Sequence, residues 1–255
     1  MRLFFYNCII LILLPILIIR LIIKSLKDKD YLKNFSNRLG LYSEKSYSNV
    51  IWFHAVSLGE VISSQIIVKE LLEDNKVVLS VSTATGLREA KKIYGQKLFV
   101  VYAPWDSIIF INSFLNKFRP KALILFETEI WPSMIHACWK NKIPVILSNA
   151  RLSESSYKKY NLVKLFINKT LNEFSLILAQ SYEHVTRFKA LGVNDNIIFK
   201  VGSSKFDLES NNEFESQDFI LSHDFILAAS THKGEDELII SSYLKLKEEF
   251  KDLKL

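Results

Sequence analysis

The sequence predicts an α/β protein with a parallel β-sheet and helices on both of its faces. From Val50 onward, apolar strand-length runs alternate with segments of helical periodicity. A series of about six or seven such strand–helix units is typical of a parallel sheet. Two further observations complete the prediction: an apolar segment precedes the first strand, and polar residues collect where the strands end.

The chain begins with a membrane-segment pattern. Residues 3–19 carry no charge, and apolar character continues past Arg20 to Ile23, which is about the length of a spanning helix. No small-residue cleavage site follows, so we interpret residues 1–23 as a retained membrane anchor. A helix that lies in the membrane interface is the alternative.

Most of the net charge lies next to this segment. The formal net charge is +6, and residues 1–40 contain seven basic and two acidic side chains, which supply +5 of it. The rest of the chain is nearly neutral, which argues against a nucleic-acid partner. Basic residues after the apolar segment predict that the remainder faces the cytoplasm. We interpret residues 24–49 as a basic juxtamembrane connection that also attracts anionic lipid head groups.

The first strand is predicted at residues 50–56, where a continuous apolar run suits a strand that is covered on both faces. A turn of Ser57, Leu58 and Gly59 follows, and Glu60 opens a helix. Ligands of doubly wound sheets bind at the carboxyl ends of the strands, so Glu60 is a candidate site residue. The simpler interpretation is that Glu60 only complements the helix dipole.

Further strands are predicted at residues 77–83, 98–102, 121–126, 143–148, 174–179 and 197–201, with helices that end near 94, 118, 140, 171 and 191. Several polar residues follow these strands, and a parallel sheet would gather them at one edge. They are Glu60, Thr83, Asp106, Glu127, Glu129, Asn149, Arg151 and Lys205.

Simpler roles exist for some of these residues. Asp106 or Ser153 suits a helix cap, and Arg151 suits an internal ion pair with Glu127 or Glu129. If the strand continued, alternation would direct Glu127 and Glu129 to the same side. Two such carboxylates need a cation or a shared proton, which is more typical of a functional site than of a surface.

Several classes of site are excluded by pattern. The seven glycines never stand two apart, so the dinucleotide G-x-G-x-x-G signature is absent and a nucleotide-binding oxidoreductase is disfavoured. The two cysteines give neither a disulfide framework nor metal spacing. We therefore predict no metal site and no cofactor. His54 is expected in the core or in a site wall, whereas His232 lies in a strand-to-helix turn suited to phosphate contacts.

The C-terminal part predicts a second domain. Residues 208–221 are polar and without periodicity, which indicates a linker after a domain at 50–207. Residues 225–229 restart a strand, and a helix follows to about 250. One such unit cannot bury its own faces, so we interpret residues 222–255 as the beginning of an incomplete domain.

Six motifs, taken together and in order, resemble the 3-deoxy-D-manno-octulosonic acid (Kdo) transferases of lipopolysaccharide assembly. The resemblance runs through essentially the whole chain. The motifs are residues 54–60 (HAVSLGE), 127–132 (ETEIWP), 148–153 (SNARLS), 179–181 (AQS), 205–207 (KFD) and 229–232 (ASTH).

The resemblance implies a GT-B arrangement of two Rossmann-like domains facing each other across a cleft. It implies transfer of Kdo from CMP-Kdo to a lipid A precursor, with inversion at the anomeric carbon and without a catalytic metal. Glu60 would be the general base, and Glu127, Glu129 and Lys205 would organise or stabilise the transition state. The residues that would contact the substrates are Ser57, Gly59, Arg151, Ser230, Thr231 and His232.

Two further expectations come with the resemblance. Tyr157 to Tyr160 would be a second contact for the phosphorylated glycolipid, or simply the start of an amphipathic helix. The family's later Pro-Arg-His segment and glycine-rich segment, which hold the nucleotide, are absent from this sequence. The alternative function is therefore an inactive remnant, or an anchored acceptor-binding domain that lacks the nucleotide site.

Overall fold

The structure is a computed structural model that describes residues 2–43, 47–204, 224–232 and 234–255. Contacts divide the chain into two units, Met1–Leu208 and Glu209–Leu255. The predicted linker, residues 208–221, lies outside the described residues. Each unit is described by itself.

The first unit contains seven strands and the helices that connect them. The strands are β1 Val50–His54, β2 Val77–Val81, β3 Phe99–Tyr102, β4 Pro120–Phe126, β5 Val145–Ala150, β6 Leu176–Ala179 and β7 Ile198–Lys200. The helices are α1 Arg2–Lys27, α2 Phe35–Arg38, α3 Leu58–Ser63, α4 Gln65–Asp74, α5 Ala84–Tyr94, α6 Ile108–Phe118, α7 Pro132–Lys140, α8 Glu154–Leu162, α9 Lys164–Leu171 and α10 Tyr182–Ala190. Short 3₁₀ turns span Lys29–Tyr31 and Asp195–Ile197.

The strands form one parallel sheet in the order β3-β2-β1-β4-β5-β6-β7, which confirms the α/β prediction. The central strand β1 pairs with β2 on one side and with β4 on the other, so that Phe53 lies between Leu79 and Ile124. The order of the strands changes direction between β1 and β4. A crevice opens at such a switch point outside the carboxyl ends of the two strands.

Helices cover both faces of the sheet, which therefore has two cores. In β1, Trp52 packs in the core on one face, while Ile51 and Phe53 pack in the core on the other. This alternation follows from the two-residue period of a strand. Every residue of β1 is buried, in agreement with the apolar run that predicted it.

The N-terminal helix α1 lies along the first unit. Most of its partly or fully buried residues recur at intervals of three or four, the spacing of one helix face: Leu3, Asn7, Ile10, Leu14, Leu17, Leu21 and Ser25. Tyr6, Cys8 and Ile18 adjoin that face. Near its start, Asn7 donates to Ser133 Oγ across 3.0 Å, and its Oδ1 accepts from the backbone N–H of Ile108 across 2.7 Å. Asn7 thus caps the start of α6 from another helix.

The far end of α1 is tied to the same unit. Arg88 of α5 forms ion pairs of 2.8 Å with Asp28 and 2.7 Å with Asp30. The hydroxyl of Tyr102 donates to the carbonyl oxygen of Asp30 across 2.8 Å. At the start of α1, the hydroxyl of Tyr6 donates to Asp106. Tyr6 and Asp28 are 22 residues apart, or about 33 Å along a helix. Contacts at both ends therefore hold α1 flat against the sheet domain.

The outer side of α1 is apolar and exposed. Exposed fractions reach 68% at Phe4, 74% at Ile12, 60% at Ile16 and 82% at Leu26. The mean hydropathy of its most apolar stretch is 2.7, and by length and composition the helix could cross a membrane.

The structure differs from the sequence predictions in three places. In the segment predicted as a basic connection, Asn37, Arg38 and Tyr42 are buried against the sheet domain. The strand predicted at 225–229 is wrong, because Phe225 forms only an isolated bridge with Lys254 before helix α11, Glu235–Glu249. Strand β4 ends at Phe126, as predicted, so the extended conformation that would direct Glu127 and Glu129 to the same side does not form.

Candidate functional site

The loop after β1 holds Glu60 in a capping box at the start of α3. The backbone N–H of Glu60 donates to Ser57 Oγ, and Ser57 Oγ donates back to Glu60 Oε1 across 2.9 Å. The backbone N–H of Val56 donates to Glu60 Oε2 across 2.7 Å. The box satisfies the N–H of Glu60 in the first turn of α3, and the N–H of Val56 takes the place that the N–H of the N-cap residue has in the usual capping box. The box also fixes the orientation of the Glu60 carboxylate at the carboxyl end of β1.

The loop is held closely by the start of α5. Thr83 caps this helix by accepting from the N–H of Gly86 across 3.1 Å. A Cβ at position 86 would lie 3.2 Å from the carbonyl carbon of Ser57 and 3.3 Å from the nitrogen of Leu58. Glycine is therefore needed at this position for the two loops to approach each other.

The loop after β4 begins with a left-handed residue. Glu127 has φ +66°, and its backbone N–H donates to the carbonyl oxygen of Ser148 across 2.9 Å. Thr128 Oγ1 donates to the carbonyl oxygen of Arg151 across 2.5 Å. Non-glycine residues in this region of φ are uncommon and concentrate at functional sites. The left-handed turn replaces the strand alternation that predicted a common side for Glu127 and Glu129.

Glu129 is partly buried and accepts a hydrogen bond of 2.6 Å from the indole N–H of Trp131. Burial, and after it the charges of Glu60 and Glu127, raise the pKa of Glu129, the hydrogen bond from Trp131 lowers it, and the net result is a pKa of about 7. Like charges that share a site favour a bound proton. The structure thus brings three acidic residues together where the crevice between β1 and β4 opens.

Two aromatic residues belong to this cluster: Trp131, to which the sequence analysis gave no role, and Tyr160, which it named only as part of a possible lipid contact at residues 157–160. Trp131 is the donor to Glu129. Burial raises the pKa of the Tyr160 hydroxyl, and the charge of Glu129 raises it further. Trp131 stands inside the 127–132 motif, so its position beside two glutamates was the available signal. Tyr160 lies in α8, and only the fold brings it here.

A cavity of about 400 Å³ lies between α1 and the carboxyl edge of the sheet. His54, Val56, Thr83 and Trp131 line it on the side of the carboxylates. His54 is fully buried, with Nδ1 2.8 Å from Ser80 Oγ and 3.1 Å from the carbonyl oxygen of Ser80. It is a site-wall histidine, and burial lowers its pKa to about 4.

Asp106 and Ser153 are helix caps. Asp106 accepts from the N–H groups of Ser133 and Met134 at the start of α7, and from the hydroxyl of Tyr6 across 2.8 Å. Burial raises the pKa of Asp106 to about 6. Ser153 accepts from the N–H of Ser156. Ser153 therefore has the local capping role that its position suggested, whereas Asp106 caps the distant helix α7 and the helix that follows it, α6, has Ser107 as its N-cap.

Three other candidates of the first unit are exposed or fall outside the described residues. The side chain of Arg151 is exposed, which does not fit an internal ion pair with Glu127 or Glu129. Gly59 is exposed in α3, and a Cβ added there would meet no atom of another described segment within 4 Å. Lys205 falls outside the residues that the structure describes.

The remaining candidates belong to the second unit. Ser230, Thr231 and His232 are exposed there, and Ser230 has φ +57°. The backbone N–H of His232 donates to Glu235 Oε2 across 2.8 Å. Three acidic residues occupy the first turn of α11: Glu235, Asp236 and Glu237. They complement the helix dipole.

Within the described residues, no group of three histidine, cysteine, aspartate or glutamate side chains has the geometry to hold a metal ion. The arrangement of Glu60 and Glu129 instead suits proton transfer, since one carboxyl group with a pKa near 7 adjoins another.

Sequence comparisons agree with the motifs. Residues 33–208 match the family described as 3-Deoxy-D-manno-octulosonic-acid transferase (kdotransferase). A 3-deoxy-D-manno-octulosonic acid transferase of Haemophilus influenzae is 33% identical over 99% of this chain and 62% of its own length. The transferase of Aquifex aeolicus is 30% identical over 89% of this chain and 58% of its own length. The chain thus spans less than two thirds of these curated relatives.

Solved structures show the same fold at low sequence identity. A UDP-N-acetylglucosamine 2-epimerase aligns with a TM-score of 0.57 and 14% identity, over 81% of this chain and 60% of the epimerase. The enzyme from Neisseria meningitidis, bound to UDP-GlcNAc, aligns with a TM-score of 0.54 and 16% identity, over 80% and 63% of the two chains. These likenesses concern the fold alone.

Proposed function

Since the chain belongs to the 3-deoxy-D-manno-octulosonic acid (Kdo) transferase family of glycosyltransferases, we propose that it takes part in Kdo transfer during lipopolysaccharide synthesis. The donor is CMP-Kdo, the acceptor is a phosphorylated lipid A precursor, and transfer inverts the anomeric carbon. The observation that carries the proposal is the cluster of Glu60, Glu127 and Glu129 at the crevice between β1 and β4. No cofactor takes part.

Glu60 is the general base in this proposal. An inverting transfer needs a group that accepts the proton of the attacking hydroxyl while CMP departs. The capping box holds the Glu60 carboxylate at the end of a fully buried strand. A base on a rigid element can be positioned within the small tolerance that catalysis requires.

Glu129 supports this role by taking up a proton. Because the pKa of Glu129 is raised to about 7, the group is largely protonated below neutral pH. The negative charge of the pair then resides on Glu60, which is the group that must accept a proton. The charge of Glu127 also raises the pKa of Glu129, by less than the charge of Glu60 does.

The other roles rest on the motif resemblance. Lys205 stabilises charge in the transition state, and Ser57, Gly59 and Arg151 contact the substrates. Ser230, Thr231 and His232 contact the donor. In this organisation residues 50–207 form the acceptor domain, residues 208–221 the linker, and residues 222–255 the beginning of the donor domain.

The cytoplasmic face of the inner membrane is the proposed location. A helix tied to the sheet domain at Asn7 and at Asp28 cannot cross the bilayer while the domain stays in water, because a crossing would separate those contacts by the thickness of the membrane. We therefore favour an α1 that lies in the membrane plane, with its outer apolar side in the lipid. Arg2, Arg20, Lys24 and Lys27 then face anionic head groups.

The test is Kdo transfer from freshly generated CMP-Kdo to a tetra-acylated lipid A precursor. The unmodified chain is compared with Glu60→Gln and with Glu70→Gln, a matched change at an exposed position of α4. We expect Glu60→Gln to lose transfer by at least about a hundredfold and Glu70→Gln to retain it. Equal activity of all three would remove Glu60 from the mechanism.

If none of the three transfers Kdo, the proposed activity of this chain is contradicted. Binding of the lipid acceptor without transfer would then support the acceptor-binding alternative.

A further inference from the structure

The cavity beneath α1 is shaped by apolar side chains from two sides. Helix α1 contributes Ile10, Leu17 and Leu21, and the sheet domain contributes Trp105 and Met134. Its volume of about 400 Å³ lies in the range of pockets that bind small ligands. An apolar cavity of this kind favours an apolar ligand, because burying a chain there removes its surface from water.

Cationic side chains also line the cavity. Arg20 and Lys24 belong to the last two turns of α1 and are exposed. Arg38 is buried, with its guanidinium carbon 4.0 Å from the centre of the Tyr102 ring, and its Nε has no hydrogen-bond partner among the described residues. Asp106 is the one acidic residue in the described lining, and its carboxylate already accepts three hydrogen bonds. The excess of positive charge favours an anionic head group.

The wall nearest the carboxylates contains an unsatisfied acceptor. The backbone carbonyl oxygen of Ser80 can only accept, whereas Ser80 Oγ can donate or accept, so the tautomer with the proton on Nδ1 is the one that pairs with both oxygens, and we assign it to His54. His54 Nε2 is then a bare acceptor, and it is buried without a partner in the part of the chain that the structure describes. Such an atom calls for a donor from a ligand, for example a hydroxyl or an amide N–H.

The cavity adjoins both the membrane-facing helix and the carboxylates. Val56, which lines it, donates its N–H to Glu60, and Trp131, which also lines it, donates to Glu129. On the other side, α1 separates the cavity from the exposed apolar surface at Ile12, Ile16 and Leu26. A lipid whose chain enters beneath α1 would therefore bring its polar end to the catalytic edge.

We propose that this cavity binds one alkyl chain of the anionic acceptor lipid, with the chain between α1 and Met134, the anionic group at Arg20 and Lys24, and a hydrogen-bond donor of the lipid at His54 Nε2. The inference deepens the proposed function, on which the identity of the lipid as acceptor rests. It assigns α1 a role in substrate binding as well as in membrane attachment.

The first experiment uses the unmodified chain and a non-transferable probe. The probe is a monoalkyl phosphate that carries a photoactivatable diazirine at the end of its chain, used below its critical micelle concentration. We expect crosslinks at Leu17, Leu21, Trp105 or Met134, mapped by mass spectrometry. Crosslinks confined to Ile12, Ile16 and Leu26 would show partition onto the outer side of α1 and would overturn the proposal.

Affinity for the same alkyl phosphates gives a second measure. Each methylene removed from the chain is expected to weaken binding about fourfold. An alkyl trimethylammonium of equal length is expected to bind more weakly, because its charge is repelled by Arg20 and Lys24. Equal affinity of the two head groups would contradict the assignment of the anionic end.

A matched pair of variants locates the chain. Leu17→Phe adds volume inside the cavity, and Leu26→Phe makes the same change on the opposite side of α1, where 82% of the side chain is exposed. We expect Leu17→Phe to weaken binding about tenfold and Leu26→Phe to leave it unchanged. Equal weakening by both, with circular dichroism unchanged, would overturn the proposal.

The probe carries no sugar and the assays contain no donor, so binding is measured apart from transfer. Probe binding without Kdo transfer would leave the cavity assignment standing and contradict the proposed function. Kdo transfer that does not depend on the chain length of the acceptor would leave the proposed function standing and contradict the cavity assignment.

Discussion

Glu129 lies close enough to Glu60 that, after burial, the charge of Glu60 is the strongest influence raising the pKa of Glu129 to about 7. The two residues follow different strands, β1 and β4, which are neighbours in the sheet. Their proximity makes the protonation of one depend on the other. The pair therefore provides both a proton-accepting group and a group that is half protonated near neutral pH.

The first prediction concerns stability and pH in Glu129→Gln. The pKa of Glu129 is raised from 4.5 to about 7, so between these values the folded chain keeps a proton that the unfolded chain has lost. Stability falls as pH rises through this window, by an amount on the order of 2–3 kcal/mol. Glutamine does not titrate and has no such loss. We therefore expect the free energy of unfolding of the variant, relative to that of the unmodified chain, to increase from pH 5 to pH 8.

Urea unfolding at several pH values measures this difference. Asp106 also has a raised pKa, of about 6, but it is present in both proteins and its effect cancels. A difference that stays constant from pH 5 to pH 8 would contradict the raised pKa of Glu129.

The second prediction concerns Trp131→Phe. The indole N–H lowers the pKa of Glu129 by donating to the carboxylate, so its removal should raise that pKa further. We expect the window over which stability falls to extend to higher pH. Trp139→Phe is the control, since that side chain is 52% exposed at the end of α7. An identical pH dependence of the two variants would count against the hydrogen bond.

The third prediction separates a docked α1 from a freely spanning one. Asn7→Leu makes the helix more apolar, which would favour a spanning helix. In the docked helix the change removes the partners of Ser133 Oγ and of the Ile108 N–H. We therefore expect a loss of about 1–3 kcal/mol in unfolding free energy, measured by urea unfolding in detergent. Ile9→Leu, at a position 54% exposed, should be neutral. Unchanged or increased stability of Asn7→Leu would argue against docking.

The fourth prediction concerns the close approach of α5 to the Glu60 loop. In Gly86→Ala the new Cβ would meet Thr83 Oγ1 at 2.9 Å and the backbone of Ser57 and Leu58 at 3.2–3.3 Å. We expect a loss of about 1–3 kcal/mol and weaker Kdo transfer, because the loop carries Glu60. Thermal unfolding and the transfer assay measure the two effects.

Gly59→Ala is the matched change for stability, since its Cβ would meet no atom of another described segment within 4 Å and the residue lies inside a helix. It should leave stability unchanged or raise it slightly. If Gly86→Ala is as stable as Gly59→Ala, the loops are not held as closely as the structure shows.

The alternation of strand and helix patterns in the sequence predicted most of the fold. The apolar run of β1 and the helical spacing after Glu60 are local features, and both elements formed within two residues of the predicted bounds, since β1 ends at His54 and α3 begins at Leu58. The prediction of a strand at 225–229 was wrong because it also used only local apolar character. A strand needs a neighbouring strand to pair with, and local character does not supply one. A helix of the length and hydropathy of α1 was predictable, whereas its docking was not.

For the site, the sequence determined that polar residues follow the strands and that Glu60 opens a helix, because strand and helix periodicities are properties of consecutive residues. The tertiary structure decided which of these residues meet. Pairing of β1 with β4 brings Glu60 to Glu129, and the packing of α1 creates the cavity beside them. Strand order and burial depend on contacts between distant parts of the chain, and it is burial and proximity that change the pKa of a carboxyl group.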